Sequence, residues 1–375
     1  MKNVKKNFNY VGIDKSVIEN IRIKNIDENK FREATKSYDD SIIKVSYTKD
    51  KTLYSLKDIN IKSITINIYG AKVVTKCLEN GTKAEFTKAI TESDIQINPL
   101  GFNIKPLKVS EYLKRLDEIF ISINNIFGIE YDYSDASFKK LEINKTFTIN
   151  NDFNKYKRCV DLLISNIPPN RFSNTDELKI AQWDCIKDKR KTSETILLKS
   201  KRRQLKIYDK VKQLIDISRK NKELKTVVDK IEYLNHKVMR VEYTLKNLGL
   251  VTDMSDKKII ELFNYNFKAD ILDSYKIWRK SNKTVLIDLI NRCKTKSRYW
   301  KNELIRKCKT YEYNHRIPLL FDVEDLKEAL YITEGSKRKA QRKLSQIKTI
   351  IKKDKTFNLM GNTAKLNEIF KKIQA

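Results

Sequence analysis

Two glutamates, one tyrosine and a group of basic residues in the middle of the chain have the types and the spacing that phosphodiester chemistry uses. In the run Leu141–Ile149, residues Leu141, Ile143, Phe147 and Ile149 share one side of a strand. Glu142, Asn144, Thr146 and Thr148 then face the other way. In QLKIYDK, Leu205 and Ile207 point to a core and leave Lys206, Tyr208 and Lys210 opposite. In VMRVEYTLK the apolar set is Met239, Val241, Tyr243 and Leu245, with Arg240, Glu242, Thr244 and Lys246 on the reverse. If these strands share a sheet, one polar face gathers Glu142, Asn144, Tyr208, Lys210, Arg240 and Glu242.

The carboxylates Glu142 and Glu242 are hard oxygen donors suited to Mg²⁺ or Mn²⁺, and Asp184 in QWDC offers a third. Such a metal polarises a phosphate, and a tyrosine hydroxyl can attack it to form a phosphotyrosine link. Lysine and arginine, here Lys210 and Arg240, then stabilise the charge of the transition state. The other reading of the same pattern is a plain solvent-facing sheet, on which cross-strand pairs such as Glu142 with Lys210 are ordinary.

Composition narrows the substrate. The 375 residues hold 78 Lys plus Arg against 48 Asp plus Glu, a formal charge of +30. A chain rich in Lys, Ile and Asn could draw such an excess from A+T-rich coding alone, which is the competing explanation. Asp and Glu do not keep pace, however, and the cations cluster at Lys187–Lys191, Lys199–Lys206, Arg292–Lys309 and Ser336–Leu344. Nucleic acid is the partner this predicts, with Lys201, Arg202, Arg203, Lys206 and Arg240 as contacts in the middle of the chain. Two His and five scattered Cys build neither a zinc site nor a disulfide framework. P-loop, GxGxxG, GxSxG and HExxH motifs are absent. No apolar run approaches the roughly 18 residues of a membrane span, and no secretory signal is read at the start, so a cytoplasmic protein without a membrane partner is expected.

An α+β fold has to position these residues. Period-two runs fill the chain to about Leu107, and Val109–Gly128 changes to helical spacing, with Ser110 as a candidate N-cap. Strands at 137–150, 180–188, 195–210 and 237–249 alternate with two helices, a β-α-β-β-α-β order that suggests a ferredoxin-like core. Beyond Thr252 the pattern is helical. The expected domains are 1–135, mixed α/β; 136–250, the α+β site domain; and 251–375, a basic helical domain. Antiparallel sheets backed by helices are thus expected to precede a mainly helical C-terminal part.

In that last part, DVEDLKEAL, a turn at Thr333–Gly335 and KRKAQRKLSQI after Ser336 fit a helix-turn-helix loosely. Lys337, Arg338, Arg342 and Lys343 would then meet DNA. The alternative is a solvated basic helix in a bundle. Trp300, among cations, suits either base stacking or the core.

The order LEINKTF, QLKIYDK, MRVEYTLK resembles the core of gene II/X-type phage and plasmid replication initiators. It is also similar to the replication-initiation-factor family of rolling-circle plasmids. The likeness covers about Ser137–Leu250. It implies Glu142 and Glu242 as metal carboxylates and Tyr208-Asp209-Lys210 as the family's Tyr-x-Lys element. Leu197 stands where the plasmid family carries its nucleophilic Tyr. Three outcomes stay open: attack by Tyr208, attack by Tyr233 or Tyr243, or no cleavage. The expected function is origin binding with metal-assisted nicking of one strand, with a host helicase as a further candidate partner. The alternative is a non-enzymatic DNA-binding initiator or accessory protein of the iteron- or oriT-binding type. RNA binding is disfavoured, because no aromatic-rich RNP-type strand is present.

Overall fold

The computed structural model describes residues 10–27, 29–30, 33, 106–167, 203–219, 237–315, 318–353 and 361–375. It also describes the backbone of the strands within 43–97 and of 195–199. Asp184, Lys201 and Arg202, with the predicted strand at 180–188 and Tyr233, lie outside the described residues.

The fold is α+β. The strands are β1 (Val11–Ile26), β2 (Ile43–Thr48), β3 (Lys51–Leu56), β4 (Ile64–Tyr69), β5 (Val73–Leu78), β6 (Gly81–Phe86) and β7 (Glu92–Ile97). After helix α1 (Val109–Phe127) come β8 (Ile129–Asp132) and β9 (Ser137–Thr148), then helix α2 (Lys157–Ser165). A hairpin of β10 (Thr195–Lys199) and β11 (Arg203–Asp209) leads into α3 (Lys210–Ser218), and β12 (Val238–Lys246) follows. The helices α4 (Asp256–Phe267), α5 (Asp273–Lys296), α6 (Trp300–His315), α7 (Val323–Glu334), α8 (Lys337–Lys353) and α9 (Asn362–Gln374) complete the chain. No described helix is long and apolar enough to cross a membrane.

Ten strands form one sheet in the order β10-β11-β12-β9-β1-β7-β4-β3-β2, with β8 beside β1; β5 and β6 pair separately. All these pairings are antiparallel. A ferredoxin-like sheet sets the first strand of its series between the third and the fourth. Here β12, the fourth, lies between β11 and β9, so the α+β class holds and the ferredoxin-like order does not. The predicted strand 195–210 is a hairpin, with Thr195 opposite Tyr208, and its last residue opens a helix.

The chain divides into two compact units, 1–148 with 175–263 and 149–174 with 264–375. The expected boundary at 135/136 therefore falls within one unit, because β1 pairs with β9 from Val11↔Lys145 to Glu19↔Ser137. The second unit takes α2, expected to back the central sheet. Arg158 of α2 forks onto Glu312 with two 2.9 Å bonds and donates to the Leu320 carbonyl at 2.8 Å. Its neighbours Cys159, Val160, Leu162 and Leu163 are buried.

In the first unit the apolar side chains of the sheet, including Ile13, Leu141, Ile143 and Tyr243, are buried. Tyr112 of α1 lies against Phe138, and Phe263 of α4 meets the Tyr243 ring edge-on at 5.6 Å. Helix α1 runs as its spacing predicts and stops at Gly128, whose φ of 67° is left-handed. Its N-terminus is not capped by Ser110. Lys108 holds the N-cap position, and the Val109 N–H donates to the Asp256 carboxylate at 2.7 Å. That acceptor is distant in sequence, which local reading cannot supply.

Candidate functional site

Strand register assembles the polar face in three rows across β11, β12, β9 and β1. Gln204, Thr244, Glu142 and Lys15 form one row, and Lys206, Glu242, Asn144 and Gly12 the next. Tyr208, Arg240 and Thr146 form the third. The predicted convergence of Glu142, Asn144, Tyr208, Arg240 and Glu242 is therefore present. The face is buried and not a solvent face: Arg240 and Asn144 are 0% exposed, Tyr208 1%, Glu242 2% and Glu142 5%.

Strand β1 adds a residue that sequence reading missed. Between Ile13↔Ile143 and Lys15↔Glu142 the register slips, leaving Asp14 as an extra residue in a β-bulge. Bulges re-aim side chains, and Asp14, also fully buried, joins Glu142 and Glu242 with oxygens all within 4.8 Å of one another. The alternation of Val11 and Ile13 with Gly12 and Asp14 is the signal that could have set Asp14 on a polar face. What it could not show is that β1 pairs with β9. Gly12, in the middle row, has no room for a side chain: a Cβ there would lie 2.5 Å from the Leu107 carbonyl oxygen and 2.8 Å from Pro106 Cβ. Tyr10 donates to the Pro106 carbonyl at 2.6 Å, and both observations bring that segment against the end of β1.

Each carboxylate has a cation. The Arg240 guanidinium meets Asp14 at 3.1 Å and donates to Thr146 at 2.8 Å. Lys140 reaches Glu142 at 2.9 Å. Lys206 pairs with one oxygen of Glu242, and Tyr208 donates its hydroxyl to the other at 2.9 Å. Burial alone would raise the Glu242 pKa, yet the attraction of Lys206 and Arg240 and the bonds from Lys206 and Tyr208 hold it below the ordinary value. Burial likewise opposes the charge on Lys206, and the field of Glu242 and Glu142 outweighs it, so this lysine stays protonated. The Tyr208 hydroxyl is pushed well above its usual value, chiefly by burial.

Lys210 is the first residue of α3, not the end of a strand. It nevertheless reaches the same region, 5.9 Å from the centre of the Tyr208 ring, and donates to Gln213 at 2.9 Å. Burial, and then repulsion from Arg240, press its pKa well below that of an ordinary lysine.

The residues fit a hard divalent cation. Three carboxylates offer oxygen donors, and beside them the Asn144 amide nitrogen is fully buried without a hydrogen-bond partner. Its oxygen accepts from the Thr146 hydroxyl at 3.1 Å, and a half-turn of the amide would exchange the two atoms and present the oxygen to an ion. Asp14, Glu142, Glu242 and Asn144 would be the residues to hold the ion.

The remaining predicted contacts separate. Arg240, expected at DNA, has its guanidinium committed to Asp14 inside the face. Arg203 is half-buried on β11. In the second unit two helices do follow one another here, α7 and α8, but the expected turn at Thr333–Gly335 is shorter: Thr333 and Glu334 continue α7, and only a left-handed Gly335 at φ 61° and Ser336 separate the helices. Lys337, Arg338 and Arg342 are exposed, whereas Lys343 pairs with Glu334 and stands 5.3 Å over the Trp300 ring. Lys294 and Lys301 approach the same ring, and Leu304 is fully buried, so Trp300 is a half-buried platform for lysines.

No protein-family model matches the chain, and neither does any curated protein.

Proposed function

We propose that the protein binds DNA as a replication initiator of the plasmid or phage kind and nicks one strand at the buried face of its sheet. One observation carries this reading: Asp14, Glu142 and Glu242 converge within 4.8 Å, and the Tyr208 hydroxyl already donates to Glu242 at 2.9 Å. Glu242 is placed to take the Tyr208 proton as the phenolic oxygen bonds to phosphorus. The bond to the 3′ oxygen then breaks, and that oxygen takes up a proton from Glu242 or from water, leaving a free 3′ hydroxyl and a 5′ phosphotyrosine. Lys206 and Lys140, partly exposed beside their carboxylates, provide cations for a strand that enters. A bound Mg²⁺ or Mn²⁺ would supply charge stabilisation at the phosphate. The charge of +30 supports a polyanionic partner.

A second reading is origin binding without cleavage. The near-complete burial of Tyr208 and the cation already paired with each carboxylate favour it. Supercoiled origin plasmid with Mg²⁺ or Mn²⁺ separates the two. Open circles carrying protein on the 5′ end, abolished in Tyr208→Phe, support nicking. Salt-sensitive binding with no open circles supports the second reading.

A further inference from the structure

In the second unit, helices α5, α7 and α9 enclose a groove of about 570 Å³ that the sheet chemistry does not involve. Along α5, Lys276, Arg279, Lys280 and Lys283 follow helical spacing, so all four cations line one side. Among the described residues, Glu328 of α7 is the single carboxylate lining the groove, 3.6 Å from Arg279 and 3.3 Å from Lys283. Lys276 is only loosely paired with Asp273, at 3.9 Å, and Lys280 has no ion pair among the described residues. Tyr275 of α5 and Phe370 of α9 supply half-buried rings, 5.4 Å apart and edge to face.

We propose that this groove binds a single strand of DNA, with phosphates on the α5 cations and a base against Tyr275 and Phe370. Cations beside partly exposed rings are the combination that holds unpaired nucleotides. A concavity of this size takes splayed bases and not a double helix. The choice of DNA rests on the function proposed above; the single-strand preference rests on the groove.

Fluorescence anisotropy of a labelled twelve-nucleotide oligothymidylate, a duplex of equal length and an abasic strand tests it on the full chain. Joint Lys276→Gln and Lys280→Gln replacement should weaken oligothymidylate binding and lower the salt slope by about 1.4, at about 0.7 per phosphate contact. Both side chains are exposed, so the fold should be unaffected. Tyr275→Leu should weaken oligothymidylate about tenfold and leave the abasic strand unchanged. Unchanged oligothymidylate binding in the lysine variant overturns the groove, as does an equal loss on duplex. If origin nicking and duplex binding persist in that case, the proposed function stands and the groove alone fails. Wild-type protein that binds none of the three probes overturns the groove, and binding and nicking of the origin plasmid then decide the proposed function separately.

Discussion

Asp14 and Arg240 meet at 3.1 Å although 226 positions separate them, and neither side chain is exposed. They belong to β1 and β12, which do not touch as neighbours because β9 runs between them. The pair therefore joins the first described strand to the last across the candidate site.

Removing one partner leaves a buried charge without its counter-ion, which costs about 3–5 kcal/mol. Asp14→Ala should lower the unfolding free energy, read from urea denaturation, by that amount. Asp14→Leu combined with Arg240→Met should recover most of the loss, since two apolar groups leave no orphaned charge. A double variant as unstable as Asp14→Ala would show that the pair is needed for more than charge balance.

Side-chain alternation made most of the site legible. Glu142, Asn144, Tyr208, Arg240 and Glu242 share a face because β9, β11 and β12 are regular and adjacent in the sheet. Asp14 was hidden by two non-local facts, the pairing of β1 with β9 and the bulge that turns its carboxylate inward. Periodicity reports which side a residue takes within a strand and carries nothing about the strand beside it. The same limit explains α2: its amphipathic pattern predicted a helix, while its place in the second unit depends on partners such as Glu312. Alternation left the burial of this face open, for polar residues that pair with one another look in sequence like a wetted surface.

A bound ion would stabilise the folded state by mass action. Millimolar Mn²⁺ or Mg²⁺ should raise the wild-type melting temperature, by about 2.7 kcal/mol of stability at a hundred times Kd. Glu142→Gln should abolish that rise. An identical rise in wild type and variant would place the ion elsewhere, and no rise at all would leave the carboxylates as ion-pair partners only.

Lys210 gives the site a pH signature. The unfolded chain keeps this lysine protonated up to about pH 10.4, whereas burial makes the folded chain release the proton earlier. Between the two values the unfolded state binds more protons, so stability contributed here rises with pH. Lys210→Met should be more stable than wild type at pH 7, and the difference should shrink as pH approaches 10. Urea midpoints at pH 7, 8 and 9 measure it; parallel curves for the two proteins would show that Lys210 does not titrate in this range.

The helix pair α7 and α8 separates cations that hold the fold from cations available to DNA. Lys337, Arg338 and Arg342 are exposed, while Lys343 is tied to Glu334 and Trp300. Each phosphate contact with a duplex contributes about 0.9 to the slope of log affinity against log salt. Replacing Lys337, Arg338 and Arg342 by Gln should thus lower that slope by about two to three without shifting the melting temperature. Lys343→Gln should behave in the opposite way. It leaves the nearly buried Glu334 with Lys294 as its remaining lysine, so the melting temperature should fall while the salt slope barely moves. Equal slopes for wild type and the triple variant would remove α8 from the DNA interface and leave it a solvated helix of the bundle.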